Sequence, residues 1–503
     1  MAGCRYPSLN AAAAGPPERY RSTPPCNMDH WLCIHLPRLP LDILSRTGNE
    51  PRPLVIRDDG RRARVLFCNA GAEQCGIRTG MSLAAARVLT GKLLVHGMDN
   101  KAVHEALRGL ADWAYQFSSR VSLYPPYALF LEVQGSLSLF GGRTALLKSV
   151  RSGLVALGYE ARLAAAPTPL AAFSLARCGS GRVVEARHEL AAALAPLPIL
   201  VLDWVPALLE RLEGMGVRRL GDLLRLPRDG LARRLGQQSL LYLDRMLGRC
   251  PHPLAPYQPA PAFRRRLPLA AEVEQAQALL FVLQRLVLEL CGWLQGRGAG
   301  VQIFTVCLLH RERCDTRLRI GMRRAGRDAG QFTALLREHL QGLVLQQPVI
   351  AVELQAVQPV RLDDRSMDLF RSADVQERID LLDCLRARLG EEAVQGISAV
   401  AEHRPEYAWS YSEPGRSRSD SREQIRPLWL LAVPRPLETR EGRPYWHGCL
   451  RLQAGRERIE SGWWDGRDVA RDYFVATSPS GSRYWIYREL SGERRWYLQG
   501  VFE

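Results

Sequence analysis

Residues 128–157 read ALFLEVQGSLSLFGGRTALLKSVRSGLVAL, and the change of rhythm inside this stretch decides the class of fold. Ala128 to Val133 has the β pattern of a half-buried strand, whereas Thr144 to Leu157 repeats its apolar residues at helical spacing. Upstream, WLCIHL at 31–36 reads as a second strand, followed by a Pro-broken segment, a short apolar run PLVI at 53–56 and a charged turn at Asp58-Asp59-Gly60. Strand and helix patterns alternate to about residue 195, so residues 28–195 form a block of α/β character.

Downstream the rhythm becomes helical. Residues 196–250 centre on LLERLEGMGVRRLGDLLRLP at 208–227, where Gly214 and Gly216 lie between two amphipathic segments. This is a helix–hairpin–helix signal: a glycine turn lets backbone N–H groups, helped here by Arg218 and Arg219, approach a DNA phosphate without reading bases. An ordinary glycine-capped αα turn has the same spelling. Residues 251–262, PHPLAPYQPAPA, hold five prolines in twelve positions and form an extended, semi-rigid tether. The block 263–360 combines a helical stretch at 271–296, a strand VQIFTVCLL at 301–309, a helix near 329–345 and a strand VIAVELQAV at 349–357, the outline of a compact α+β unit. Residues 361–375 are a polar linker with Met367, Leu369 and Phe370 at its centre. Residues 376–503 form a C-terminal region that holds seven of the eleven tryptophans from residue 409 onward. Its alternating stretches, such as RYWIYREL at 483–490, suggest a β-rich module or a partner-binding segment, with the tryptophans serving either as core or as contacts. Residues 1–27 are rich in Ala and Pro and read as a disordered leader or as translation from a misplaced start.

The chain has 503 residues, with 68 Lys plus Arg against 52 Asp plus Glu, a formal charge of +16. Residues 361–503 hold 23 arginines against 24 acids, so residues 1–360 carry +17. A polyanion such as DNA is the natural partner of that surplus, although only Lys92, Lys101 and Lys148 are lysines and codon bias toward arginine would produce the same excess. Twelve cysteines without a CxxC pair exclude a zinc ribbon and a secreted disulfide framework and fit a reducing cytoplasm. No stretch of about 18 uninterrupted apolar residues marks a membrane span.

Several phrases, in order, resemble one family. CGIRTGMSLAAA at 75–86 is similar to the fingers phrase of the Y-family, lesion-bypass DNA polymerases; LEVQGSLSLFGG at 131–142 is similar to their palm; AAAPTPLAAFSLAR at 164–177, the hairpin at 212–226 and the tethered α+β unit follow as palm, thumb and little finger. The resemblance covers about 28–360 and implies an α+β multidomain fold: polymerase-like palm and fingers, a helix–hairpin–helix thumb, an α+β little finger, then the Trp-rich extension. Such polymerases hold two magnesium ions on palm carboxylates. Set against the family's motifs, His35 stands at the first carboxylate, Leu39 and Pro40 at the aromatic pair that screens the sugar, and Tyr127 and Ala128 at the adjacent Asp-Glu. Ala70, Glu73 and Thr168 stand at the triphosphate-contacting Tyr, Arg and Lys. The resemblance thus implies a chain without catalytic residues, metal or cofactor; His35 could bind a transition metal, but without a partner ligand it reads as a packed or hydrogen-bonded histidine. Other acids close in sequence are Asp29, Asp42, Asp58, Asp59 and Glu132, and an active lesion-bypass polymerase using such non-standard carboxylates is the alternative.

The phrases HRPEYAW at 403–409, RPLWLL at 426–431 and ESGWWDGRDVARDYFVA at 460–476 are similar to the extension of the non-catalytic, Y-family-like subunits of the bacterial mutasome. That likeness implies an adaptor on a DNA primer-template, engaging the beta sliding clamp, a RecA-like accessory protein and an error-prone C-family polymerase subunit in damage-induced mutagenesis. Family clamp-binding peptides have the form QLxLF, and Ser366-Met367-Asp368-Leu369-Phe370 keeps its last three features on a linker. A second match, residues 136–140, lies within palm structure and is the poorer choice.

Overall fold

The computed structural model describes residues 29–46, 52–60, 62–311, 315–362, 373–414, 426–427 and 429–502. The leader 1–27 and the peptide 366–370 lie outside the described residues. The chain divides into two compact units, residues 1–388 and 389–503.

In the first unit, β1 (Trp31–His35) and α1 (Leu39–Ser45) precede a small insertion of β2 (Leu54–Arg57), β3 (Val65–Cys68), α2 (Ala70–Gln74), α3 (Leu83–Leu89) and β4 (Leu94–Gly97). This fingers region pairs in the order β3-β2-β4 over a core of only six buried residues, among them Val55, Val65 and Ile77. The palm continues through α4 (Asn100–Ala114), β5 (Val121–Tyr124), β6 (Ala128–Glu132), α5 (Arg143–Ala156), β7 (Arg162–Ala166) and α6 (Pro169–Cys178). Its antiparallel sheet runs β5-β6-β1-β7. All five residues of β1 are buried because the two-residue period of a strand serves two cores. Trp31 and Cys33 join Phe130, α6 and the thumb on one face, while Leu32 and Ile34 join Leu129, Leu131 and helices α4 and α5 on the other.

The thumb is α7 (Leu190–Leu194), α8 (Pro206–Gly214), α9 (Leu220–Arg225), α10 (Arg228–Leu235) and α11 (Gln237–Met246). The proline tether that follows is fastened to the palm: Tyr257 N donates to Val121 O at 2.7 Å and its hydroxyl to Asp112 Oδ1 at 2.9 Å. Beyond it come β8 (Phe263–Val273), α12 (Leu280–Gln295), β9 (Ala299–Leu309), β10 (Thr316–Gly326), α13 (Ala329–Gln341), β11 (Val349–Ala356), β12 (Val360–Arg361) and α14 (Ala373–Leu389). The sheet runs β10-β9-β11-β8, with α12 and α13 packed on it through Leu283, Leu286, Trp293, Phe332 and Leu336. The helical reading of 271–296 starts too early: residues 271–273 finish strand β8, paired with β11, and the helix proper begins at Leu280. Ala276–Gln295 is long and apolar enough by composition to cross a membrane, yet its apolar residues form the centre of this core.

The little finger is bound to the palm by buried charges. Arg46 pairs with Glu289 of α12 and with Tyr159, and its Nε donates to Leu157 O at 2.7 Å. Arg265 of β8 pairs with Asp112 of α4 and lies 3.7 Å from Glu289. Beside this network Trp113 fits between two glycines; a Cβ at Gly153 or at Gly292 would stand 2.4 Å from its ring. Helices α4, α5 and α12 approach one another only because both positions lack a side chain.

In the second unit, β13 (Gly396–Ala399) pairs with β14 (Trp409–Ser412). A larger antiparallel sheet is built from β15 (Trp429–Arg440), β16 (Arg443–Tyr445), β17 (Arg451–Leu452), β18 (Glu457–Ser461), β19 (Val469–Thr477), β20 (Arg483–Glu489) and β21 (Trp496–Val501). Trp485 and Trp496 are core here, whereas Trp463 is 80% and Trp429 72% exposed.

Candidate functional site: the palm pole and the thumb hairpin

Strand β1 ends at His35, which pairs in register with Ala128 on one side and Arg162 on the other. The chain leaves the strand with Leu36 N donating to Tyr127 O at 2.8 Å. Tyr127 and Ala128, 92 and 93 residues beyond His35 in sequence, therefore share one end of the palm sheet with it. They bring an imidazole, a phenol and a methyl group. His35 is buried, meets Phe173 edge to face at 5.8 Å between ring centres, and has no partner for Nδ1. Burial first, then the charges of Arg177 and Arg162, push its pKa down to about 4, so the ring is neutral at neutral pH. Tyr127 lies against Phe67 at 6.0 Å. A pair of divalent cations needs anionic oxygens, and none of these three side chains has one. Leu39 and Pro40, the first turn of α1, are buried in the palm.

The acids nearest this pole are otherwise engaged. Asp42 on α1 is buried, accepts from Glu160 N at 3.1 Å, and is pushed up to about 7 by burial. Glu73, on α2, and Glu160 both pair with Arg38, at 3.3 and 3.4 Å, while the same guanidinium donates to Cys68 O at 2.9 Å. Ala70 is the exposed first residue of α2. Asp58 holds its own turn by accepting from Arg64 N at 2.8 Å. Asp59 lies 3.8 Å from Arg57, with its side chain 76% exposed. Asp29 and Glu132 lie at the far pole, where both face Arg120. Among the described residues no three His, Cys, Asp or Glu side chains gather as a metal-ligand set. The residues present do not fit a magnesium pair.

Thr168 does not come to His35. Strand β7 is antiparallel to β1, so the segment after Ala166 starts at the Trp31 end. There Thr168 caps α6, accepting from Ala171 N, and donates to Met246 O at 2.6 Å. The residue of α6 that reaches His35 is Phe173, five residues on and about 7.5 Å along the helix axis. The strand direction is the signal that would have found it.

At the thumb, α8 ends on Gly214, and Gly216 takes φ of +81°, a left-handed conformation that a side chain resists. Val217 and Leu220 are buried beneath the turn while Met215, Arg218 and Arg219 stand in solvent. The N–H groups of Met215, Gly216 and Val217 already donate to Leu212 O, Glu213 O and Leu212 O, so what the loop offers an anion is the pair of exposed guanidinium groups of Arg218 and Arg219. In the second pentapeptide, Phe140 packs on Phe117 at 5.5 Å and Leu139 is 80% exposed.

The sequence pattern of the impB/mucB/samB family matches residues 45–176. With the palm, fingers, thumb and little finger described above, it defines the class: a Y-family polymerase-like protein. Protein ImuB of Caulobacter vibrioides is 31% identical over 461 residues, which take in 85% of this chain and 100% of that relative. The chain belongs to the ImuB family, which supports a polymerase-related role in DNA damage tolerance. It is also 24% identical over 236 residues to DNA polymerase IV of Neisseria meningitidis serogroup C, covering 44% of this chain and 62% of that one. A crystal structure of DinB from Sulfolobus solfataricus matches at 16% identity with a TM-score of 0.38, covering 66% of this chain and 100% of that one.

Proposed function

We propose that this chain is a non-catalytic, DNA-binding adaptor in damage-induced, error-prone translesion synthesis. Palm, thumb and little finger grip a primer-template through phosphates, with the hairpin at Gly214, Gly216, Arg218 and Arg219 as one contact. The peptide Ser366 to Phe370 recruits the beta sliding clamp, and the C-terminal region holds a RecA-like accessory protein and the error-prone C-family polymerase that performs synthesis. The protein works in the bacterial cytoplasm. The observation that carries the reading is the chemistry of the palm pole: His35, Tyr127 and Ala128 offer no anion where the family's carboxylates stand, and two exposed acids, Glu73 and Glu160, are paired with Arg38. In support, Ala70, Glu73 and Thr168 lack the cationic and phenolic groups that grip a triphosphate.

The competing reading is an active lesion-bypass polymerase, and it has one observation in its favour, the buried Asp42 within reach of Glu160. Burial pushes its carboxyl up to about 7, and the contact with Glu160 is to the backbone N–H, not to the carboxylate. Primer extension by the purified chain, with magnesium or manganese, decides between them. No incorporation is expected, and extension at ordinary enzyme concentrations that Asp42→Asn abolishes would overturn the adaptor.

A further inference from the structure

The palm has a second pole. At the Trp31 end of the sheet, roughly 13 Å along β1 from His35, a cavity of about 580 Å³ opens between the palm, the end of the thumb and the start of the tether. The volume lies within the ~300–1,000 Å³ of small-molecule sites. Four arginines line it, Arg120, Arg187, Arg245 and Arg249, against a single acid, Asp29. Asp29 is taken by Arg120 at 3.1 Å, and Arg249 shares Asp244 with Arg228.

Arg187 and Arg245 have no ion-pair partner among the described residues. The contrast with the rest of the chain is informative. Arg143, Arg265, Arg404 and Arg426 also leave a buried Nε unbonded, but each spends the rest of its fork on a carboxylate. Arg245 buries an unbonded Nε with no carboxylate pair among the described residues, as Arg297 does an unbonded Nη1 elsewhere, and His252 beside Arg245 buries an unbonded Nδ1 in the same wall. Buried donors without acceptors are costly, and guanidinium forks match phosphate oxygens. Trp31 and the prolines at 167, 169, 251 and 253 supply rings to the remaining wall, with Val121, Ser122, Thr168, Cys250 and Leu254 among them. Gly248, at φ +73°, closes the floor, where a Cβ would press to 3.2 Å on Thr168 and 3.6 Å on Arg187.

We propose that this cavity binds a small polyanion of two or three linked phosphates, either bare or carried by a nucleoside. Linked phosphates place several charges within a few ångströms, as an unmatched cluster of arginines in a small volume demands, and the ring walls suit a nucleoside. The site is distinct from the pole at His35 and does not rest on the adaptor reading.

Titration calorimetry on the full chain, without divalent metal, tests it with pyrophosphate, tripolyphosphate and dATP in separate arms. Saturable binding is expected for tripolyphosphate or dATP. In Arg187→Gln/Arg245→Gln it weakens roughly tenfold or more, the loss of charge-assisted bonds, while Arg87→Gln, at an exposed position of α3, binds as wild type. A dATP affinity above that of tripolyphosphate identifies a nucleotide site, and equal affinities a site for the phosphate chain; both uphold the proposal. If the double variant fails to fold, Arg187→Gln alone, on the exposed rim, carries the comparison. Absence of binding in all three arms, or equal binding by wild type and pocket variant, overturns the proposal. So does a pocket variant that loses duplex-DNA affinity in step with the anion, which would make the cavity part of the DNA grip.

Discussion

Replacing Arg46 with methionine removes one half of the charge pair that joins the palm to the little finger. The side chains of Arg46 and Glu289 are 3% and 6% exposed, so the loss strands a carboxylate out of water. Breaking a buried pair costs about 3–5 kcal/mol. Arg265, at 3.7 Å from Glu289, retains part of the compensating field and argues for the lower end, about 3 kcal/mol. At roughly 2–4 °C per kcal/mol for a cooperative unit of more than 150 residues, the melting midpoint falls by about 6–12 °C. Calorimetry reads that directly, and limited proteolysis at the tether shows whether the little finger detaches. The partner experiment is Arg46→Met with Glu289→Leu, which removes both charges and fills the space with apolar volume; most of the lost stability returns. A single variant that melts within about 2 °C of wild type, or a double variant as unstable as the single, would show that the pair is not the fastening described here.

Asp42→Asn tests the palm by pH. The folded carboxyl titrates near 7 and the unfolded one near 4, so its stabilising share is full below about pH 4 and is lost as pH rises through 7. The asparagine variant escapes that loss, and its stability relative to wild type should improve between pH 5 and pH 8 by energies on the order of 3 kcal/mol at most; a difference independent of pH refutes this. Arg218→Gln with Arg219→Gln should weaken duplex binding uniformly over sequences and lower the slope of log K against log salt by about 2, measured by fluorescence anisotropy. An unchanged slope removes the hairpin from the DNA interface. Leu369→Ala with Phe370→Ala should reduce affinity for the sliding clamp by at least about thirtyfold in a surface-binding measurement, and undiminished affinity discards residues 366–370 as the clamp peptide. Gly292→Ala, whose Cβ would enter the ring of Trp113, should cost about 1–3 kcal/mol of stability through overpacking, read as a lower melting temperature, and a neutral effect would mean that α12 shifts freely.

Much of the architecture was legible in local patterning. WLCIHL was readable because both faces of that strand are apolar, and the hairpin at 208–227 because its glycines interrupt a clear helical period; ALFLEV reads as a half-buried strand, but β6 is buried along its whole length because it too lies between two cores. Strand β10 escaped notice because it is written in arginine: Arg317 and Arg319 point to solvent while Leu318, Ile320 and Met322 turn inward. The early start assigned to the helix of 271–296 has a related cause, since the polar and alanine residues at the end of β8 suit either state until β11 pairs with them. The fastening of little finger to palm had no local signal at all: Arg46 and Glu289 are 243 residues apart, and Arg265 and Asp112 153. At the pole, His35, Tyr127 and Ala128 could be brought together by order along the chain, but Phe173 could not, because its position depends on the direction in which α6 returns.

The contact between His35 and Phe173 carries a consequence for anyone hoping to engineer synthesis into this scaffold. Writing an aspartate at position 35 would set a negative group against a phenyl edge, with Arg162 and Arg177 as its electrostatic company and a phenol and a methyl group, not carboxylates, at positions 127 and 128. Ions would gain no foothold until several neighbouring positions were rewritten together, so stepwise reversion passes through intermediates that are less well packed and still inert.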